Sequence, residues 1–190
     1  MCRYHSRQDD WRQTKKKEGV HVPSEFSTKL LDLKNIPYEH RVHPTALTAQ
    51  QVAAAERIPG TVVAKTVVVK ADNKFVMAVL PATAKVDLPA LRETLRANEL
   101  RLAKEAEFYG LFPDSEPGAM PPFGNLYGLP VYADESLARD QAILFNAGTH
   151  QDAIRMSYRD FAICVAKQKT VYKRKLRARN TISALNAGTR

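Results

Sequence analysis

The sequence predicts one mixed α+β domain in which helices are interleaved with antiparallel strands. Two observations predict this class. Runs rich in β-branched residues, the clearest at 62–69, alternate with segments whose apolar residues recur at helical spacing. A polar pair, Asp72-Asn73, joins two such runs into a β-hairpin. The length of 190 residues is ordinary for one domain and leaves ample material for a core.

The first half of the chain alternates between helix and strand. Leu30 follows Phe26 at helical spacing, and Pro37 ends this helix. Thr48 is a predicted N-cap, with Gln51 three residues later in the capping-box pattern. The predicted elements are a helix that begins near Ser24, a strand Tyr38–Val42, a helix 49–57 ended by Pro59-Gly60, a strand 62–69 and its hairpin partner Lys74–Pro81.

The second half begins with a helix capped by Asp87, with Pro89 in its first turn. Residues 113–130 hold five of the eleven prolines and three of the eight glycines, which predicts a long ordered loop. The other predicted elements are a strand at 100–103, a helix at 104–112, strands at 131–133, 142–145 and 153–156, and a last helix Tyr158–Val165 opened by Ser157 with Asp160.

The net charge of +9 is concentrated at the two ends of the chain. Residues 1–24 carry six Lys/Arg against three acidic residues, and residues 166–190 carry eight Lys/Arg and no acidic residue. We therefore expect a polar, flexible N-terminal extension at 1–24, a nearly neutral folded domain at 25–165 and a basic C-terminal tail at 166–190. Such a tail either contacts nucleic-acid phosphates or is a solvated end.

From the sequence we do not expect a membrane protein, a secreted protein, a disulfide-rich protein or a metal- or cofactor-dependent enzyme. No apolar run approaches the roughly 20 residues of a membrane helix, and the polar N-terminus is unlike a secretory signal. Cys2 and Cys164 do not suggest a disulfide framework, so we expect a cytoplasmic protein. No spacing typical of a metal site, a P-loop, a dinucleotide fingerprint or a nucleophile elbow is present, so we expect no metal and no cofactor.

Lys65 is the most unusual residue of the predicted strand 62–69. An ammonium group costs free energy when it is buried without a partner, yet both faces of this strand are otherwise apolar. Because side chains alternate along a strand, Lys65 shares one face with Val63 and Val67. Two explanations stay open. Lys65 is either a functional lysine in a covered strand or a lysine that protects a sheet edge against aggregation.

Two later segments can join Lys65 in a site. Residues 118–124 read Gly-Ala-Met-Pro-Pro-Phe-Gly, a stiff loop whose glycines allow close backbone approach and whose N–H groups can bind a ligand. His150 follows Gly148-Thr149 and can donate a hydrogen bond or act as an acid or base near neutral pH. Taken singly, each feature is also common as an ordinary turn or a structural histidine.

Several short motifs occur together and in order along residues 25–165. They are His43-Pro44 with Thr48, Ala64 through Val69, Leu80-Pro81, Val86-Asp87-Leu88, Leu102-Ala103, Gly118 through Gly124, Asp134-Glu135, and Gly148 through Met156. On these motifs the chain resembles the YbaK/prolyl-tRNA synthetase-associated editing domain family of aminoacyl-tRNA deacylases. Both tails lie outside the resemblance.

The resemblance implies a curved, mixed and mostly antiparallel sheet flanked by helices. It also implies hydrolysis of the ester that joins a wrong amino acid to the 3′ end of a tRNA, with a substrate ribose hydroxyl orienting the water. The catalytic residues that it implies are Lys65, Gly118 and His150, the last at a position that varies in the family. The substrate-binding residues that it implies are Thr66, Ala119, Met120, Pro121, Pro122, Asn146, Gly148 and Thr149.

The implied partner is a mischarged tRNA, first of all proline tRNA carrying alanine, serine, threonine or cysteine. We expect editing in trans, in transient association with a synthetase and without a membrane. The residues expected to hold the tRNA are Lys167, Lys169, Lys173, Arg174, Lys175, Arg177 and Arg179. Two other functions stay open, namely a catalytically silent RNA-binding module of the same fold and a hydrolase of small aminoacyl esters.

Overall fold

The computed structural model describes residues 23–165 and 169–172. Short 3-10 turns at Tyr109–Leu111, Gly124–Tyr127 and Glu135–Arg139 lie between its longer elements. These elements are α1 (Glu25–Leu33), β1 (Tyr38–Val42), α2 (Ala49–Ala55), β2 (Ala64–Ala71), β3 (Lys74–Pro81), α3 (Leu88–Leu95), β4 (Leu100–Leu102), α4 (Glu105–Phe108), β5 (Val131–Asp134), β6 (Ala142–Asn146), β7 (Asp152–Ser157), α5 (Tyr158–Val165) and β8 (Lys169–Tyr172).

The strands form two hydrogen-bonded sheets. The larger sheet has the strand order β4-β2-β3-β5-β8, and the smaller has the order β1-β7-β6. All pairs are antiparallel except β3 with β5 and β5 with β8, which are parallel. A parallel bridge between Val63 and Leu144 joins the start of β2 to β6. The predicted α+β class with a mixed, mostly antiparallel sheet is confirmed, and the sheet is divided into two parts at this bridge.

The main apolar core joins the inward faces of both sheets to α1 and α5. Val79 comes from the larger sheet, Phe145 from the smaller sheet, Leu31 from α1 and Phe161 from α5, and all four side chains are buried. Full burial of such a side chain stabilises the folded state by about 1.5–3 kcal/mol. This core fixes the relative position of the two sheets, between which the functional segments lie.

β2 is covered on both faces, as its apolar sequence predicts. Val68 belongs to the main core, whereas Val69 packs with Leu91 of α3 on the opposite face. The start of β2 is covered by α2, because Val52 packs with Val63. The helices therefore flank the sheets. A polar side chain on β2 is surrounded in part by packed residues on either face of the strand.

The predicted helix caps are present. The Thr48 hydroxyl accepts the Gln51 N–H at 3.2 Å and the Gln51 amide oxygen accepts the Thr48 N–H, which completes the capping box of α2. Asp87 caps α3 by accepting the Ala90 N–H at 3.1 Å. These caps satisfy main-chain donors that a helix leaves without an internal partner, and they confirm the predicted starts of both helices.

Two predicted helices are shorter than expected. The predicted helix 49–57 ends at Ala55, because Arg57 adopts a left-handed conformation with φ of 54°. The predicted helix 104–112 contains only one α-helical turn, α4, followed by a 3-10 turn. Gly110 lies in that second part, and glycine disfavours a continuing α-helix by about 1 kcal/mol relative to alanine.

The strand β8 was not predicted. Its four residues lie within the segment 166–190 that the sequence analysis treated as a basic tail. β8 pairs in parallel with β5, with Tyr172 opposite Asp134. Main-chain pairing with an existing sheet stabilises a short strand whose own sequence pattern carries little signal.

Candidate functional site

A cavity of about 300 Å³ opens where β2 begins and β3 has just ended. Its walls come from α2, β2, the segment after β3, the loop 113–130 (the Gly/Pro loop) and the end of β6. The lining residues are Thr48, Ala49, Gln50, Val63, Ala64, Lys65, Thr66, Ala82, Gly118, Met120 and Asn146. The structure therefore brings together five of the predicted site residues, namely Lys65, Thr66, Gly118, Met120 and Asn146.

Lys65 lies on β2 where this strand borders the cavity. It is opposite Leu80 in β3, while β4 pairs only with residues 69–71 of β2. The side chain is half-buried, and its Nζ donates a hydrogen bond to the Ala82 carbonyl oxygen at 3.2 Å. Because the ammonium group is held at a cavity lined by other predicted site residues, the functional explanation is favoured over protection of a sheet edge.

The Gly/Pro loop and the turn at Gly148 are joined by main-chain hydrogen bonds. The Glu116 N–H donates to the Gly148 carbonyl oxygen at 2.7 Å, and the Gly148 N–H donates to the Ala119 carbonyl oxygen at 3.0 Å. The Glu116 carboxylate also accepts the N–H of His150 at 2.8 Å. A displacement of one segment would therefore displace the other.

Two glycines in these segments adopt the left-handed conformation. Gly118 has φ of +85° and Gly148 has φ of +100°. A Cβ atom on Gly148 would lie 2.8 Å from Ser24 Cβ and 3.1 Å from the Asp114 carbonyl oxygen, so only glycine fits there. The Gly118 N–H donates to Met120 Sδ at 3.3 Å. A thioether is a weak acceptor, so this N–H can exchange it for a stronger one.

His150 borders the loop that carries Gly118 but is not among the residues that line the cavity. Its Cε1 atom is 3.4 Å from the position that a Cβ on Gly118 would take. Its Nδ1 atom is buried and has no hydrogen-bond partner in the part of the chain that the structure describes. The imidazole lines a separate, open recess of about 600 Å³, together with Thr45, Glu116, Pro117, Thr149 and Gln151.

The turn at Gly148 is fixed by the buried carboxylate of Asp152. This carboxylate accepts hydrogen bonds from Thr149 Oγ1 at 2.5 Å and from His40 Nε2 at 2.7 Å. Thr149 Oγ1 in turn accepts the N–H of Asp152 at 2.9 Å. The hydroxyl of Thr149 is therefore engaged inside the turn, and sequence analysis did not single out Asp152.

Four predicted substrate-binding residues lie behind the lining of the cavity. Ala119, Pro121 and Pro122 are buried within the Gly/Pro loop, and Gly148 is buried against Ser24. These residues shape the loop and the turn, and their contact with a substrate stays a prediction.

Thr66 and Asn146 line the cavity, and each carries a buried acceptor atom. Thr66 Oγ1 and Asn146 Oδ1 have no hydrogen-bond partner among the described residues. A buried polar atom that is left without a partner costs about 1–3 kcal/mol, and such atoms are rare in folded proteins. A ligand that donates hydrogen bonds would remove this cost.

Sequence analysis also missed the contacts that hold α1 against the Gly/Pro loop. Asp114 accepts hydrogen bonds from Tyr127 Oη at 2.8 Å, from Ser24 Oγ at 2.5 Å and from the Phe26 N–H at 3.3 Å. Burial, followed by the hydrogen bond to Asp114, raises the pKa of the Tyr127 hydroxyl, which therefore stays protonated as a donor. No local sequence pattern predicts this cluster, because Asp114 is far in sequence from Ser24 and Phe26.

The predicted tRNA-binding residues belong to the end of the chain. Lys169 lies in β8. The other six, which lie outside the described residues, are Lys167, Lys173, Arg174, Lys175, Arg177 and Arg179.

Neither a metal-binding cluster nor a membrane-spanning helix is present within residues 23–165 and 169–172. No group of three or more His, Cys, Asp or Glu side chains in these ranges is placed to hold a metal ion. No helix in the same ranges has both the length and the apolar character needed to cross a membrane. The expected absence of a metal and a cofactor stays a prediction.

Comparison with known proteins was made by sequence and by structure. A family model described as an aminoacyl-tRNA editing domain matches residues 43–164. A candidate trans-editing enzyme for prolyl tRNA synthetase has a TM-score of 0.69 at 19% identity, over 82% of this chain and 99% of that chain. The hypothetical protein APE2540 has a TM-score of 0.70 at 15% identity, over 78% of this chain and 99% of that chain. A search of curated proteins gave no match.

Proposed function

Because the chain belongs to the aminoacyl-tRNA editing domain family, we propose that it is a trans-acting deacylase of mischarged tRNA. The proposed substrate is proline tRNA that carries a small wrong amino acid, namely alanine, serine, threonine or cysteine. The observation that carries this proposal is the meeting of Lys65, Gly118 and Asn146 at one cavity. We place the reaction in the cytoplasm, in transient association with a synthetase.

The proposed reaction is hydrolysis of one ester bond. The oxygen of a water molecule attacks the ester carbonyl carbon, the bond from that carbon to the ribose 3′ oxygen breaks, and the 3′ oxygen takes up a proton. The carbonyl oxygen becomes negatively charged on the way, so donors aimed at it lower the barrier. The Gly118 N–H, which now donates to the weak acceptor Met120 Sδ at 3.3 Å, is the candidate donor.

Lys65 supplies positive charge to the cavity. It is the one lining residue, among those that the structure describes, with a formal charge. The substrate offers two acceptors to this cation, the phosphate of the terminal nucleotide and the ester carbonyl oxygen. The hydrogen bond from Nζ to the Ala82 carbonyl oxygen, at 3.2 Å, holds the ammonium group ready for either acceptor.

The substrate itself is proposed to orient the attacking water. No carboxylate and no imidazole is found among the described residues that line the cavity. The free hydroxyl of the terminal ribose is adjacent to the ester and can hold the water in line. Replacing this hydroxyl by hydrogen is expected to abolish turnover while binding persists, and normal turnover of such a substrate would refute substrate assistance.

The size of the cavity supports a small substrate side chain. Its volume of about 300 Å³ is at the lower end of the range for ligand pockets. The apolar part of the cavity wall is formed by Val63, Ala82 and Met120, beside the polar residues Lys65, Thr66 and Asn146. Discrimination by size against larger residues is the second sieve that editing reactions use.

β8 ends at the same edge of the larger sheet as β3, beside the cavity. β8 and β5 are parallel, with Tyr172 opposite Asp134, and β5 is parallel to β3, which ends at Pro81 just before the lining residue Ala82. Since neighbouring strands are about 4.8 Å apart, Tyr172 is roughly 10 Å across the sheet from the end of β3. This placement supports a role in tRNA binding for Lys173, Arg174, Lys175, Arg177 and Arg179.

A deacylation panel tests the proposed function. The substrates are proline tRNA charged with alanine, serine, threonine, cysteine or proline, and alanine tRNA charged with alanine. We expect hydrolysis of at least one small mischarged proline tRNA and no hydrolysis of prolyl-tRNA. Equally fast cleavage of free aminoacyl esters would show a small-ester hydrolase instead. Salt-sensitive tRNA binding without any hydrolysis would show a catalytically silent RNA-binding module.

A further inference from the structure

Two residues that line the cavity carry acceptor atoms to which no step of the proposed reaction is assigned. Thr66 Oγ1 and Asn146 Oδ1 are buried and have no hydrogen-bond partner among the described residues, and both residues line the cavity. The neighbouring polar groups differ in this respect. Thr48 Oγ1 already accepts the Gln51 N–H at 3.2 Å, and the Ala82 carbonyl oxygen already accepts from Lys65 Nζ at 3.2 Å.

The fold brings these two acceptors to the cavity from separate strands. β2 and β6 run parallel from the bridge between Val63 and Leu144, and Lys65-Thr66 and Asn146 follow this bridge on their respective strands. Because side chains alternate along a strand, Thr66 leaves β2 on the face opposite to Lys65. The residues that line the cavity thus supply one cation, Lys65, and two acceptors that are not hydrogen-bonded to this cation.

The substrate of the proposed reaction has one group that needs such acceptors. A free α-amino group is an ammonium with three N–H donors and a positive charge. Lys65 is a donor only and cannot bind it, and the described lining has no carboxylate. Hydrogen bonds from this ammonium to neutral acceptors are charge-assisted, and are therefore stronger than ordinary ones.

We propose that Thr66 Oγ1 and Asn146 Oδ1 form a subsite for the free α-ammonium group of the aminoacyl ester, an assignment that rests on the proposed function. The subsite selects for an unmodified amine. It disfavours substrates in which this amine is absent, as in an α-hydroxyacyl ester, or is converted to an amide, as in N-acetylaminoacyl-tRNA and peptidyl-tRNA. The enzyme therefore clears free aminoacyl esters and spares blocked ones.

The test compares alanyl-tRNA with lactyl-tRNA, in which a hydroxyl replaces the ammonium at nearly the same size. The kcat/KM of each is divided by its uncatalysed hydrolysis rate, since the ammonium itself activates the ester. We expect wild type to prefer alanyl-tRNA by about tenfold or more. In Thr66→Val with Asn146→Ala this preference is expected to fall to within about twofold of unity.

Matched variants separate the subsite from general damage. Thr66→Ser keeps the hydroxyl and is expected to keep the preference, whereas Thr66→Val loses part of it. Gln50→Ala changes another lining side chain, whose amide nitrogen reaches the Ala82 carbonyl oxygen at 3.5 Å, and is expected to leave the preference unchanged. Equal corrected values for alanyl- and lactyl-tRNA in wild type, or an intact preference in the double variant, would overturn the proposal.

Binding provides a readout that does not depend on turnover. The non-hydrolysable 3′-alanylamino-3′-deoxyadenosine is titrated by calorimetry beside its lactylamino counterpart. We expect the alanyl compound to bind about tenfold more tightly to wild type, and equally tightly to the double variant. Equal affinities for wild type would overturn the subsite even if deacylation is observed, while a clear preference without deacylation would keep the subsite and reject the proposed function.

Discussion

Lys65 and Thr66 are neighbours on β2 and both line the cavity, Lys65 with a hydrogen-bond donor and Thr66 with an acceptor. Lys65 donates to the Ala82 carbonyl oxygen at 3.2 Å, whereas Thr66 offers an acceptor with no partner among the described residues. An aminoacyl ester also carries both kinds of group, since its carbonyl and phosphate accept and its ammonium donates. A donor and an acceptor on adjacent residues can therefore hold such a substrate in one orientation.

At the residue scale, we predict that replacing Gly148 by alanine destabilises the protein. Gly148→Ala places a Cβ 2.8 Å from Ser24 Cβ in a residue with φ of +100°, so backbone strain and a clash add up. We expect a loss of about 2–5 kcal/mol in the free energy of unfolding and a loss of deacylation in the folded fraction. Urea unfolding and kinetics on mischarged tRNA measure the two effects.

Gly128→Ala is the matched control for this substitution. Gly128 also has a positive φ, of +69°, but no heavy atom lies within 4 Å of the position of its Cβ. We expect a cost of only about 1–2 kcal/mol from the backbone alone, with deacylation unchanged. Equal effects of the two substitutions would contradict the role assigned to the packing around Gly148.

At the scale of elements, local chemistry predicted most of the fold. The capping box at Thr48, the cap at Asp87 and the hairpin turn at Asp72-Asn73 each depend on neighbouring residues, and each is present. The end of α2 and the strand β8 were missed. They depend on a left-handed residue at Arg57 and on pairing with a strand far away in sequence, which a local pattern does not encode.

Five of the residues that line the cavity were predicted from the sequence, whereas their arrangement was not. Lys65, Gly118 and Asn146 were identified by residue type and motif, and they meet at the cavity. The placement of His150 beside the loop, in a separate recess, follows from main-chain hydrogen bonds between two distant segments. Asp152 was also missed, although its hydrogen bonds with Thr149 are local to the turn and only the one from His40 joins distant segments.

The cap of α2 makes a prediction at the element scale. Thr48 lines the cavity and caps α2, whereas Asp87 caps α3 and is not among the described lining residues. Thr48→Ala and Asp87→Ala are each expected to cost about 1 kcal/mol in the free energy of unfolding. Only Thr48→Ala is expected to raise the KM for mischarged tRNA, and an equal rise in both variants would contradict the assignment of this wall.

The basic segment after β8 makes a second prediction at this scale. Truncation after Tyr172 keeps β8 and removes six Lys/Arg. The slope of log K against log salt is negative, and each phosphate contact that is lost should reduce its magnitude by about 0.7–0.9. We expect weaker tRNA binding with a flatter salt dependence, measured by filter binding between low and physiological salt.

Removal of residues 1–22 is the control for this truncation, since this segment also carries six Lys/Arg but includes three acidic residues. We expect a smaller change in affinity and slope. A C-terminal truncation that binds tRNA like the full chain at every salt concentration would rule out the proposed tail contacts.

At the scale of the whole molecule, the positive charge is concentrated in the terminal segments of the sequence, outside residues 25–165. The net charge of +9 comes from both ends of the chain, while residues 25–165 carry slightly more acidic than basic residues. A nearly neutral body with a basic terminal segment can attract a tRNA through its phosphates and leave selection of the ester to the cavity. Affinity and selectivity then reside in different parts of the molecule.

The kinetics of Lys65→Ala beside Lys70→Ala test the central claim most directly. Both lysines are on β2, but Lys70 pairs with Glu107 at 3.3 Å and lies outside the described lining of the cavity. On the mischarged tRNA that wild type hydrolyses best, Lys65→Ala is expected to lose about 10²–10³-fold in kcat/KM, and Lys70→Ala to stay within about threefold. Equal activity of Lys65→Ala and wild type would contradict the account.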